Sequence, residues 1–204
     1  VGSTALYNSL FDLGEGFYSN SQFNNTSTSL SYNVPTPNAI PGLSANLYTV
    51  VVSWSNDFHD FDVKSGTTTL SNHSFSDYTI SKTNDQIPSS QIGSTTNITF
   101  EANITSSGTN RNNPSLIEIE YARNYDFNNT SAFVFDIQGN SNRQYLELSN
   151  LNDQSTFPIL YDVTNGYRIL STNTPGSSIH KFLLPPAAGK RKLVIRADNT
   201  ANFT

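Results

Sequence analysis

Apolar residues in this chain alternate with polar ones in short runs, and each run is closed by glycine, proline or asparagine. Period-two alternation places one row of side chains on one face of a strand, whereas an α-helix needs a longer stripe at a spacing of three and four. The clearest run is 97–104, where Ile98, Phe100, Ala102 and Ile104 share a face. Further strands are expected at 27–34, 47–54, 76–81, 116–121, 132–137, 145–148, 158–163, 167–170, 178–184 and 192–197, with Tyr78 and Ile80 together on one face of the third. Pro41-Gly42, Ser65-Gly66, Ser107-Gly108, Pro175-Gly176 and Ala188-Gly189 mark turns between them. Asn165-Gly166 between two such runs predicts a two-residue hairpin, since both residues tolerate positive φ. Only 4–13 suggests a helix. About a dozen short strands with regular turns predict an all-β fold, an antiparallel β-sandwich of jelly-roll type. A length of 204 residues suits one such domain, 1–204, and the loop at 35–41 is the one candidate boundary. The expected core includes Ile98, Phe100, Ile104, Ile117, Ile119, Phe133, Phe135 and Val194.

Composition narrows the function classes. Charged residues make up 13% of the chain, so its polarity comes from Asn, Ser and Thr, which compete with the backbone inside helices. The net charge is −5 and the one basic run is Lys190-Arg191-Lys192, which argues against nucleic acid and anionic lipid as partners. No apolar run approaches the ~18 residues of a membrane span, so insertion by this chain is not expected. There is no cysteine, hence no disulfide, thiolate metal site or cysteine nucleophile. The chain has no methionine and begins Val1-Gly2-Ser3 without a signal-peptide pattern, as expected of a fragment of a larger exported protein. Asn-x-Ser/Thr sequons at Asn24, Asn25, Asn72, Asn97, Asn103, Asn128, Asn129 and Asn202 are numerous enough to arise from composition alone.

Catalytic patterns are sparse. His59, His73 and His180 are candidate bases, but no Gly-x-Ser-x-Gly elbow, phosphate loop or dinucleotide fingerprint accompanies them. His180 falls in an alternating strand and His73 in a polar turn. Asp57, Asp60 and Asp62 are the best metal candidates, because closely spaced carboxylates suit calcium. The glycine and terminal glutamate of a calcium-binding loop are missing, and a strand–turn edge with solvated carboxylates explains the same residues. Asp126-Phe127-Asn128-Asn129 reads as a second acidic loop. Glu118 and Glu120 could be a glycosidic pair, yet their alternation with Ile117 and Ile119 makes them the polar face of a strand. The chain is therefore expected not to be an enzyme. With 13 Phe, 10 Tyr and one Trp, aromatic stacking on sugars is the competing function, a carbohydrate-binding module of jelly-roll type. Trp54 ends an apolar strand and is expected in the core.

Two stretches together carry a resemblance. Leu13-Gly14-Glu15-Gly16-Phe17-Tyr18 is similar to an element that precedes the catalytic part in gingipain-type cysteine peptidases and the related type IX secretion sortase of Bacteroidetes. Leu116-Ile117-Glu118-Ile119-Glu120-Tyr121-Ala122-Arg123 resembles a strand of the same family, and Phe133-Val134-Phe135-Asp136, Leu160-Tyr161-Asp162-Val163-Thr164-Asn165, Phe182 and Leu193-Val194-Ile195 follow in the family's order. Tyr161 stands where the family has Trp, and Gly166 where it has Pro. The resemblance implies a non-catalytic β domain of a secreted or outer-membrane surface protein, lying before a peptidase-like domain of the same chain. The family's catalytic His and Cys lie downstream and match nothing here, so no catalytic residue and no cofactor carries over. Contact with that domain is expected through Gly14, Phe17 and Tyr18 and through Asp162, Thr164 and Asn165.

Overall fold

The structure, a computed structural model, describes residues 21–24, 28–104, 110–153, 157–174 and 176–197. The expected helix at 4–13 and the candidate contacts Gly14, Phe17 and Tyr18 lie outside the described residues. Contacts divide the chain into two compact units, Val1–Asn124 and Tyr125–Thr204. One domain was expected over 1–204; the division falls after Asn124 rather than in the 35–41 loop, because each unit closes around a hydrophobic cluster of its own.

The first unit contains β1 (Phe23–Asn24), β2 (Ser29–Pro35), β3 (Ala45–Ser53), β4 (Phe58–Ser65), β5 (Thr68–Ser76), β6 (Ile80–Ile87), β7 (Thr95–Ala102) and β8 (Arg111–Glu120). They form two four-stranded sheets, ordered β1-β8-β3-β6 and β2-β7-β4-β5. All pairings are antiparallel. Only β4 and β5 are consecutive neighbours within a sheet; every other step crosses to the opposite sheet. That is the jelly-roll wiring, two interlocked Greek keys.

Alternation explains the core. On β7 Ile98 and Phe100 are fully buried and Ala102 nearly so. β4 contributes Phe61 and Val63, and β1 contributes Phe23. The Phe23 ring stacks on Phe100 at 5.8 Å and meets Phe61 edge-on at 5.2 Å. Each such side chain contributes roughly 1.5–3 kcal/mol by leaving water. Ile117 and Ile119 pack half-buried against this cluster. Ile104 lies past the end of β7 and is half-buried.

Two expectations fail here for local reasons. The run 76–81 is not one strand: β5 ends at Ser76, β6 begins at Ile80, and between them Asp77 takes φ 67 while the Ser53 hydroxyl donates to the Asp77 and Thr79 carbonyls, pinning the bend. Tyr78 is consequently exposed. Conversely, His73 lies within β5 rather than in a turn; of the three aspartates expected at a strand–turn edge, Asp57 precedes β4, and Asp60 and Asp62 lie on it.

The second unit contains β9 (Asp126–Thr130), β10 (Ala132–Gln138), β11 (Gln144–Leu151), β12 (Ile159–Asp162), β13 (Tyr167–Leu170), β14 (Ile179–Leu184) and β15 (Lys190–Arg196). Its sheets are ordered β10-β15-β12-β13 and β14-β11-β9. Pairing is antiparallel except between β9 and β11, which run parallel with a register shift at Asn150, where φ is 52. Phe127, Leu148, Leu160, Phe182, Leu184, Leu193 and Ile195 form the core, and Phe133 and Phe135 pack half-buried against it. Val194, expected inside, faces outward, because Arg191, Leu193 and Ile195 occupy the inner face of β15. The β12–β13 connection is a four-residue loop, since Asp162 pairs with Tyr167, and of Asn165 and Gly166 only the glycine takes positive φ, at +72. Gly139 is held by close approach instead: a Cβ there would lie 2.5 Å from the Ala187 carbonyl oxygen. Among the described residues there is no α-helix, hence none able to cross a membrane.

Replacing Phe100 by Ala should cost about 3–5 kcal/mol in urea unfolding. Val194→Ala should cost less than about 1 kcal/mol, as outward positions do. Equal losses at the two sites would contradict this assignment of faces.

Candidate functional site

Four clusters of polar side chains could carry function. The first is the expected calcium trio. Asp60 and Asp62 point outward from β4, and both carboxylates accept from the Asn72 amide at 2.8 and 3.0 Å and from the Asn103 amide at 3.0 Å. Burial works to raise the Asp62 pKa, but these amides and Lys64 outweigh it and hold the carboxyl below its ordinary value. Asp57 precedes the strand, and among the described residues no three His, Cys, Asp or Glu side chains form a group able to hold a metal ion. The pair is thus a cross-strand hydrogen-bonded patch in which asparagine donors occupy the carboxylate oxygens.

The second cluster holds the expected contact residues of the β12–β13 corner. Asp162 and Arg191 have fully buried side chains and are joined through Nε at 2.9 Å and through a second guanidinium nitrogen. Arg191 also donates to the Pro185 carbonyl at 2.9 Å. Asp162 accepts from the backbone N–H of Asn165 at 3.1 Å and from its side-chain amide at 2.9 Å. Thr164 accepts from the Lys192 N–H at 2.9 Å. Burial alone would raise the Asp162 carboxyl, but the hydrogen bonds from Asn165 and Arg191 hold it below its usual range. The structure therefore brings Asp162, Thr164 and Asn165 together, Asp162 buried and Thr164 and Asn165 exposed, so that they brace the loop against β15.

The third cluster surrounds His73. Its Nε2 lies 2.9 Å from the Ser71 hydroxyl, which donates to Asp85 at 2.9 Å. A serine, a histidine and an aspartate thus meet between the edge strands β5 and β6, but not with the connectivity of a triad. The carboxylate receives the serine's own proton, and His73 Nδ1 faces Ser81 Oγ at 3.4 Å rather than a carboxylate. The imidazole donates to Ser71 and is not placed to deprotonate it. Burial pushes His73 below its ordinary pKa, against the opposing pull of Asp85 and Asp62.

The other histidines are internal. His59 is fully buried, with Nε2 3.0 Å from the Ser55 carbonyl and Nδ1 2.7 Å from the Asn110 side chain. His180, fully buried on β14, lies 3.5 Å from Asp153, and burial lowers its pKa against that carboxylate.

The fourth cluster is a cleft of about 580 Å³ on the outer face of β3, β6 and β8. Tyr48 is at its centre, directly opposite Asn84 on β6 and Glu118 on β8; Asn46 is opposite Gln86 and Glu120. The sequence reading found Glu118 and Glu120 as a polar face but missed Tyr48, Asn84 and Gln86, because only the strand register assembles them. Trp54 stands one residue past β3 and is half-buried.

No protein-family signature and no curated protein matches the chain. Among solved structures it is similar to the crystal structure of dimeric latent PorU from Porphyromonas gingivalis, at 8% sequence identity and a TM-score of 0.58. The likeness covers 83% of this chain and 18% of that one. At this identity it shows a shared β fold, and the chain spans under a fifth of the longer protein.

Removing Asp162 leaves Arg191 buried without its carboxylate, so Asp162→Ala should destabilise the protein by about 3–5 kcal/mol. In the intact protein the folded pKa of Asp162 lies below the unfolded value of about 3.9. Its stabilisation is complete above the unfolded value and is lost as pH falls through the folded one. Denaturation midpoints of the variant and the parent should therefore converge in strong acid. A variant as stable as the parent at pH 7 would refute the buried pair.

Proposed function

We propose that this chain is a non-catalytic β module of an exported bacterial protein, accessory to a peptidase-like domain of the same polypeptide. The observation that carries the reading is the fold likeness to one part of PorU, spanning most of this chain. The ordered resemblance to gingipain-type peptidases and the PorU-like type IX secretion sortase supports it independently: its described motifs fall in sequence on β8, β10, β12, β14 and β15. The chemistry is consistent with an accessory role. No cysteine supplies a thiolate, and the serine nearest a histidine gives its proton to a carboxylate. A location outside the cell, secreted or at the outer-membrane surface, belongs to the same proposal. The corner braced by Asp162 is a candidate contact with a neighbouring domain through its outward residue Val163, which is 58% exposed.

The purified chain should not turn over Arg- or Lys-containing peptides. Cleavage that persists with a cysteine-protease inhibitor and disappears in Ser71→Ala would overturn the non-catalytic reading. In the full-length parent, deleting the module should lower the yield or activity of the peptidase-like domain; an unchanged domain would remove the accessory role.

A further inference from the structure

We propose that the cleft around Tyr48 is a binding site for a neutral glycan. The inference comes from a contrast between the two outer faces of the jelly roll. On the β2-β7-β4-β5 sheet the outward polar groups satisfy one another. Asp60 and Asp62 take Asn72 and Asn103; Ser31 meets Thr99 at 2.7 Å; Asn97 donates to Asn33 at 3.0 Å; Lys64 pairs with Glu101. On the β1-β8-β3-β6 sheet four of the polar groups around Tyr48 are not paired in this way. The side chains of Asn46, Asn84, Gln86 and Glu118 are exposed and make no hydrogen bond or ion pair among the described residues. They are held at strand spacing about one half-buried aromatic ring, with Glu120 at the edge.

Amides and carboxylates beside an aromatic face suit one ligand chemistry. A sugar ring offers a C–H face that packs on an aromatic ring and rows of hydroxyls that both donate and accept. Asn and Gln side chains answer both roles, and a carboxylate accepts from neighbouring hydroxyls. The three strands present these groups over roughly 10 Å by 7 Å, from strand spacing and alternate-residue rise, room for a short oligosaccharide. No Lys or Arg lines the cleft, while Glu118, Glu120 and Asp85 do. Negative charge without a cation disfavours uronic, sulfated or phosphorylated sugars, which leaves uncharged ones. The open form of the cleft suits a side-on polymer chain. This site lies in the first unit and needs no catalytic partner, so it stands whether or not the accessory reading above does.

Affinity electrophoresis of the full chain through gels containing hydroxyethylcellulose, xyloglucan, glucomannan or mannan tests this, with alginate and pectin gels as anionic controls. At least one neutral polymer should retard the protein. Tyr48→Ala should weaken that retardation by about tenfold, as loss of a stacking ring does, and Tyr48→Phe should keep most of it. Asn84→Ala and Glu118→Gln should each weaken binding as well. Tyr48 lies outside the core clusters, so the melting temperature of each variant should stay near the parent's, and loss of binding in a folded protein is then attributable to the cleft. Retardation by no neutral polymer, retardation only by the anionic gels, or unchanged retardation of Tyr48→Ala would overturn the proposal.

Discussion

With no cysteine and few charges, the sheets of each unit are held face to face chiefly by the row of side chains that every strand turns inward. The jelly-roll wiring makes this constraint severe. Because nearly every connection in the first unit crosses between sheets, β3 finds its partners in β6 and β8, and Phe23 pairs with Asn112. Pairings this remote in sequence return nothing until long loops have closed, so the alternating pattern must be correct on all strands at once. A one-residue slip in any strand would expose its whole inner row. The Phe23, Phe61 and Phe100 rings, drawn from β1, β4 and β7, sit where that requirement converges.

The buried Asp162–Arg191 pair answers the same requirement in the second unit by another means. A fully buried guanidinium is costly unless every donor is met. Here Asp162, Pro185 and the loop residues Thr164 and Asn165 hold β12, β15 and the β12–β13 loop in one register. Arg191 also decides which face of β15 goes inward. Leu193-Val194-Ile195 is apolar at three successive positions, so its pattern alone does not separate the faces; with Arg191 inside, Leu193 and Ile195 follow it and Val194 is outside.

That case shows where legibility in the sequence ended. The all-β class, the sandwich and the strands now β7, β10, β12, β13 and β14 were readable, because alternation and turn residues act locally. β4 was not, although His59, Phe61 and Val63 do alternate with Asp60, Asp62 and Lys64. A buried histidine interrupts the apolar row, and an outward Phe58 interrupts the polar one. β9 was missed for a similar reason: Phe127 is its one buried apolar residue among Asn and Asp. The Ser71–Asp85 contact and the surroundings of Tyr48 were out of reach altogether. Each joins residues of different strands, and register is a property of the assembled sheet.

A fold shared at 8% identity also bears on where function can reside. The requirement on a core position is apolar bulk and the right parity, so different residues can satisfy it and chains of little sequence similarity can share an architecture. The residues that carry the family resemblance behave in this way. Ile117, Ile119, Tyr121, Phe133, Phe135, Leu160, Phe182, Leu193 and Ile195 pack inward, and Asp162, Thr164 and Asn165 brace a corner. Such residues report on how the chain folds and are silent on what it binds. Glu118 is different: it lies within the resembling stretch yet points outward into the cleft beside Tyr48, with no hydrogen bond or ion pair among the described residues. Glu118 fits the polar face of a strand and is also one of the groups from which the glycan site is inferred, whereas on the opposite sheet the outward Asp60, Asp62, Lys64 and Glu101 are paired within the sheet or with its neighbouring loop.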